Sequence, residues 1–111
     1  MPKEFKIDLA QTLYPSLTQV RGNKTLREIS KAIDLLVRDP EAQGKPLVGP
    51  LDGLRGFRAV RGRYRIIYKV AVDKGRVTVL LVGPRRAGQE EDIYALAGKL
   101  LQIFLKGSTE P

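Results

Sequence analysis

Leu54-Arg55-Gly56-Phe57-Arg58-Ala59-Val60-Arg61-Gly62-Arg63-Tyr64-Arg65-Ile66-Ile67-Tyr68-Lys69-Val70, then a turn, then Arg76-Val77-Thr78-Val79-Leu80-Leu81-Val82-Gly83-Pro84-Arg85-Arg86 is the stretch that decides the fold. Its β-branched and aromatic runs, broken by Arg61-Gly62 and Asp73-Lys74-Gly75, read as consecutive antiparallel strands over 57–60, 63–72 and 76–82. Ile66-Ile67 predicts burial on both faces of the middle strand, and the apolar run 76–82 predicts a strand inside the sheet. The same stretch carries the charge. From Arg55 to Arg86 there are ten Lys/Arg and one acid, Asp73, a net +9, whereas the whole chain is +8. The basic character therefore belongs to one sheet, as expected of a surface for phosphates or for an acidic protein.

Alternation assigns the faces. Arg63, Arg65, Ile67 and Lys69 share one face of their strand; Tyr64, Ile66, Tyr68 and Val70 share the other, the aromatic pair reading as core. If Phe57 and Tyr64 face the helices, Arg58 and Arg65 point out on the same side of adjacent strands. Arg85 and Arg86, just past the end of the next strand, are within reach of that surface. Guanidiniums gathered around one concavity repel one another unless an anion or solvent screens them, and each presents a planar fork to phosphate oxygens. Solvated edge protection is the competing reading for Arg63 above all.

Outward from this meander, Glu4 to Leu9 alternates and reads as a half-buried strand, with Phe5, Ile7 and Leu9 on one face. A short helix is expected near Pro15. Thr25 to Asp39 reads as a helix opened by a Thr25/Glu28 capping box, with an apolar stripe of Leu26, Ile29, Ile33, Leu36 and Val37. Its Lys24, Arg27, Lys31 and Arg38 form a basic face, either solvated or a contact for structured RNA. The Gly- and Pro-rich segment 41–56 reads as an ordered loop rather than a linker. A last helix, roughly Glu90 to Lys106, carries Ile93, Leu96, Ala97, Leu100, Leu101 and Phe104 on one stripe. Glu90-Glu91-Asp92 complement its positive end. Tyr94 opens it near Arg85 and Arg86, for stacking on a base or for packing.

The 111 residues suit one domain, 1–111, with one core. The apolar and charged fractions are those of a folded protein. No signal peptide or membrane span is read, so a cytoplasmic location with no membrane partner is expected. With no Cys and no His, thiol nucleophiles, His-based acid/base pairs, Ser-His-Asp triads and His/Cys metal sites are excluded. No metal and no cofactor is expected; an enzyme here would work with Arg, Lys, Tyr and a carboxylate.

Lys45-Pro46-Leu47-Val48-Gly49-Pro50-Leu51-Asp52-Gly53-Leu54, Phe57-Arg58, Gly62-Arg63-Tyr64-Arg65-Ile66-Ile67-Tyr68, Val82-Gly83-Pro84-Arg85-Arg86 and Asp92-Ile93-Tyr94 together resemble the RelE/ParE superfamily of bacterial type II toxins, most closely its RelE branch, over residues 45–101. The resemblance implies a small α+β domain: a twisted, mainly antiparallel sheet with two N-terminal helices on one face and a mobile C-terminal helix. It implies a toxin that cleaves mRNA in the ribosomal A site. There the ribose 2′-OH attacks the adjacent phosphate, leaving a 2′,3′-cyclic phosphate and a 5′-OH. The residues matched to catalytic positions are Arg65 (phosphate and transition-state clamp), Arg85 (charge stabilisation), Arg58 (first basic residue of its strand) and Tyr94 (base stacking or 2′-OH deprotonation). Glu90 or Glu91 is an alternative base. Arg61, Arg63 and Arg86 would contact mRNA phosphates, and Lys24, Arg27 and Lys31 rRNA. The partners implied are the ribosome with mRNA in its A site and a cognate antitoxin, acidic at its contact, which would itself supply any DNA binding. Two positions depart from the RelE pattern: Val60 stands where a second basic residue is usual, and Ala87-Gly88-Gln89 lengthen the connection to Tyr94. The alternative within the superfamily is a ParE-like inhibitor of DNA gyrase that binds protein and cuts no RNA.

Overall fold

The computed structural model describes residues 4–18, 20–89 and 92–100. Five strands form one sheet: β1 (Lys6–Leu9), β2 (Lys45–Pro46), β3 (Arg55–Ala59), β4 (Tyr64–Ala71) and β5 (Arg76–Pro84). Their order is β1-β5-β4-β3-β2. The meander β3-β4-β5 is antiparallel, β2 adds antiparallel to β3, and β1 returns to pair parallel with β5. The helices are α1 (Leu13–Leu17), α2 (Asn23–Leu35), α3 (Pro40–Gln43) and, over residues 93–100, α4. Among the described residues no helix is long and apolar enough to cross a membrane.

Both faces of β4 are covered, as Ile66-Ile67 predicts; the two side chains are each 0% exposed. On one face Leu13 of α1, Ile29 and Ala32 of α2 and Leu36 just past its end pack with Ala59, Ile66, Tyr68, Val77, Val79 and Val82. On the other, Ile67 and Leu81 meet Leu51, Ile93 and Ala97. A β-bulge lets β5 serve both layers: Ile67 pairs with Leu81 but Tyr68 with Val79, so Leu80 is the extra residue. The α+β class and the layer of N-terminal helices are as read from the sequence.

Several local readings are corrected. The α2 helix starts at Asn23, two residues before Thr25, because Gly22 at φ 92° turns the chain straight into it, and no side chain caps it. The helix stops at Leu35, and Asp39 at φ 48° redirects the chain so that Pro40 opens α3. The 41–56 segment is ordered, as expected, but contains α3, β2 and a 3-10 turn at Gly49–Leu51. Leu9 is exposed rather than sharing burial with Phe5 and Ile7. The first meander strand ends at Ala59. Val60, Arg61 and Gly62 then take positive φ in succession (53°, 57° and 83°). Val60 therefore lies in a turn, a strained place for a β-branched residue, held by its packing on the α1/α2 layer. The final helix beyond residue 100, and with it Leu101 and Phe104, lies outside the described residues.

Candidate functional site

The register of the sheet sets out the site in two rows on the face away from α1 and α2. Directly opposed residues in antiparallel strands project to the same side. One row is Lys45, Gly56, Ile67, Leu81; the next is Arg58, Arg65, Gly83. The glycines are what allow α4 to lie on this face. A Cβ at Gly83 would stand 2.5 Å from Ile93 Cδ1, and one at Gly56 would stand 2.5 Å from Tyr94 Oη. The α4 helix therefore settles directly on backbone and carries its Tyr94 over β3.

The open end of this face is a cavity of about 390 Å³ lined by Lys45, Arg58, Arg65, Arg85 and Tyr94, with Gln43 and the backbone of Gly56 and Phe57 completing the wall. All four residues matched to catalytic positions in the sequence thus line one cavity, although they come from β3, β4, the segment after β5, and α4. Arg65 is half-buried and held in place by donating from Nη1 to the Gly62 carbonyl at 2.7 Å and to that of Tyr64 at 3.2 Å. Arg58, directly opposite it, is exposed, and its guanidinium lies against Gly62 in the β3-β4 turn. Arg85 is aligned by its own backbone, whose N–H donates to the Arg63 carbonyl at 2.8 Å.

Asp92 organises the far wall. It is 4% exposed. Its carboxylate accepts from Arg85 Nη1 at 2.7 Å, from the Arg86 backbone N–H and from the Tyr94 backbone N–H at 3.1 Å. It thereby caps α4 and pins Arg85 in one contact set, and Arg85 stacks over the Tyr94 ring at 4.8 Å. The acidic residues before α4 read in the sequence as complements to the helix dipole; for Asp92 the ion pair with Arg85 is the larger part of the explanation. Glu90 and Glu91 lie outside the described residues. Burial pushes the Asp92 carboxyl upward, but Arg85 and the two backbone donors outweigh it and hold the group below its ordinary value of 3.8. Its contribution to stability is therefore present above that value and is lost as pH falls through the depressed one. Replacing Asp92 with Asn is expected to cost about 1–3 kcal/mol at neutral pH. It should also flatten the acid limb of stability below about pH 4. Urea unfolding of the two proteins across pH 2–7 checks both.

The other basic positions divide. Arg61, Arg63 and Arg86 are exposed around the β3-β4 turn and the end of β5, beside the cavity without lining it. Lys24, Arg27 and Lys31 are exposed on α2, which packs on the opposite face of the sheet, so the fold does not bring them to the cavity. Arg55 and Arg76, part of the same basic stretch, are spent on structure. Arg55 donates to the Gly44 carbonyl at 2.6 Å, and Arg76 pairs with Asp8 at 2.9 Å. Lys45 is the cavity residue that reading the sequence missed. Its signal lies in the pairing of a two-residue strand with Gly56, which local pattern does not reveal. Among the described residues no group of three His, Cys, Asp or Glu is placed to hold a metal.

The site thus sits on a five-stranded sheet with α1 and α2 on one face and an arginine-lined cavity on the other, and the comparisons put this arrangement in the RelE/ParE toxin superfamily. A family model described as the ParE toxin of the type II toxin-antitoxin system, parDE, matches residues 7–87, and the chain belongs to that family. Among the similar solved structures are these three. A chain of the toxin-antitoxin complex RelBE2 from Mycobacterium tuberculosis is 27% identical with a TM-score of 0.62, the match covering 74% of this chain and 92% of that one. The E. coli toxin RelE, an arginine-to-alanine double mutant in the free state, is 19% identical with a TM-score of 0.64, covering 90% and 98%. A chain of the archaeal RelE-RelB complex from Pyrococcus horikoshii is 20% identical with a TM-score of 0.55, covering 77% and 99%. Among curated proteins none matches the chain.

Proposed function

We propose that this toxin is a ribosome-dependent mRNA endoribonuclease that promotes attack of a ribose 2′-OH on the adjacent phosphodiester without a metal. The observation that carries the reading is the convergence of Arg58, Arg65, Arg85 and Tyr94 on one cavity. Transesterification at phosphorus concentrates negative charge on the non-bridging oxygens. Fixed guanidiniums stabilise that charge most when they do not have to reorganise. Arg65, tied to the Gly62 carbonyl, clamps the phosphate. Arg85, tied to Asp92, stabilises the charge that builds during bond exchange. Arg58 supplies a second contact to the phosphate. Tyr94 stacks a base or takes part in deprotonating the 2′-OH. Exposed Arg61, Arg63 and Arg86 take neighbouring phosphates, and Lys24, Arg27 and Lys31, on the other layer, contact rRNA.

The natural regulator in this reading is a cognate antitoxin that presents acidic residues to the same cavity; two of the similar structures are by name a toxin-antitoxin complex and a RelE-RelB complex. The ribosome would place the action in the cytoplasm. A second reading, favoured by the family model's being that of ParE, keeps the fold but makes it an inhibitor of DNA gyrase by protein binding.

Translation of a defined mRNA in a cell-free extract, followed by primer extension, separates the two. The endonuclease gives new 5′ ends within translated codons, and none when ribosomes are withheld. Intact mRNA in the presence of folded protein removes the nuclease reading, and a gyrase supercoiling assay then tests the second.

A further inference from the structure

Arg58 and Arg65 stand directly opposite each other on β3 and β4, a pairing in which like charges repel. Strand alternation explains why both side chains leave the sheet on the cavity face. The turn between the strands explains where their heads go. Val60, Arg61 and Gly62 take φ of 53°, 57° and 83° in succession. The Gly62 N–H donates to the Ala59 carbonyl and the Arg63 N–H to the Val60 carbonyl, each at 3.1 Å.

Gly62, the last of the three, meets both guanidiniums. Its carbonyl accepts from Arg65 Nη1 at 2.7 Å. Its bare Cα faces Arg58: a Cβ at this position would stand 2.8 Å from Arg58 Nη2, 3.4 Å from Nε and 3.5 Å from Cζ. One edge of the Arg58 guanidinium thus lies where any other residue would put its side chain. The contact to Arg65 is a directional hydrogen bond, whereas the contact to Arg58 is only a seat. Two planar forks, one fixed and one seated on the same residue, line one cavity. A tetrahedral oxyanion can be held by such a pair from two sides.

We infer that Gly62 is the positioning residue of a two-arginine phosphate clamp, its carbonyl fixing Arg65 and its missing side chain seating Arg58. Glycine is needed there for two separable reasons. The positive φ bears on the stability of the turn. The open space bears on the clamp. Arg58 Nη2 ends a flexible side chain, so a methyl group at residue 62 would push it aside at little cost to the fold. The loss then falls on the bound phosphate. The link from the clamp to catalysis rests on the nuclease reading above; phosphate binding by the clamp does not.

Gly62→Ala and Gly62→Asn separate the two reasons. Both put a Cβ against Arg58, but Asn adopts positive φ far more readily than Ala. Inorganic phosphate is titrated into each full-length protein while the Nε–H resonances of Arg58 and Arg65 are followed by NMR. In the wild type both should move together, with one dissociation constant. In both variants phosphate should bind about tenfold or more weakly, the loss of one charge-assisted contact, and only Arg65 should respond. The melting temperature should fall for Gly62→Ala and stay nearer the wild type for Gly62→Asn. Arg58→Ala should weaken binding to the same extent, and Gly62→Asn should cost nothing more in that background. Wild-type affinity in Gly62→Asn, a further loss in the Arg58→Ala background, or a wild type in which phosphate moves neither resonance overturns the assignment. Single-turnover cleavage on ribosomes programmed with one A-site codon reads the link to catalysis: Gly62→Asn should cut as slowly as Arg58→Ala. A wild-type protein that binds phosphate through this pair yet cuts no mRNA fails the nuclease reading and leaves the clamp standing.

Discussion

Under the proposed nuclease function, Arg65→Ala is expected to slow cleavage of A-site mRNA by about 10²–10³-fold, the loss typical of removing one preorganised charge-stabilising donor. The reason for choosing Arg65 over its neighbours is preorganisation. Arg58 and Lys45 are exposed and must be ordered by substrate, whereas Arg65 is half-buried and already fixed by the Gly62 and Tyr64 carbonyls. Its fork is held by the β3-β4 turn, so little reorganisation stands between binding and bond exchange. Arg65→Lys should restore little activity, because one ammonium cannot span the turn and the phosphate together. Thermal stability should move by no more than about 1 kcal/mol, since losing two hydrogen bonds is offset by relief of repulsion with Arg58 directly opposite. Primer extension on programmed ribosomes, alongside a melting curve, checks both parts. Wild-type cutting by folded Arg65→Ala would remove this arginine from the chemistry.

Tyr68→Ala is expected to destabilise the fold by about 3–5 kcal/mol, the range for truncating a fully buried aromatic. Tyr68 is 0% exposed in the α1/α2 layer. Burial raises its hydroxyl's pKa, with Arg55 and the Gly44 backbone partly offsetting this, so it remains a phenol that donates to Pro40. A Cβ at Gly44 would collide with that hydroxyl, so the α3-β2 segment lies close against it. Tyr68→Phe keeps the ring and should cost only about 1–2 kcal/mol, mostly from the unpaired Pro40 carbonyl. Urea denaturation of the pair separates packing from the hydrogen bond. Near-equal losses would mean that the hydroxyl, not the ring, holds the layer together.

Much of the architecture was legible because it rests on local period. Ile66-Ile67 announces a doubly covered strand, and the alternation around Arg58 and Arg65 places them side by side, as the register does. What was not legible depends on distant partners. Lys45 reads as loop until Gly56 is known to lie beside it. Val60 reads as strand because β-branched residues usually are, yet three successive positive φ values put it in the turn. The start of α2 was misplaced because Gly22 takes over a role that Thr25 and Glu28 would fill in an isolated peptide. Asp92 looked like a helix-end charge because nothing in its neighbourhood of sequence announces Arg85 as its partner.

The parallel pairing of β1 with β5 dictates an order of assembly. Lys6 is in register with Arg76, so the first strand of the chain has no partner until the fifth exists. The hairpin of β3 and β4 can close on its own short turn, whereas β1 must wait and then search across a long loop, at an entropic cost that grows with loop length. The cavity follows the same schedule. Arg58 and Arg65 meet early, across one turn, but Arg85 and Tyr94 arrive only after β5 has been laid down. Substitutions in the β3-β4 hairpin should therefore slow refolding, and those in β1 should mainly speed unfolding. Stopped-flow kinetics of Ile66→Val and Ile7→Val would reveal the asymmetry. A growing chain would thus hold two of its three cavity arginines for some time before the cavity itself is complete.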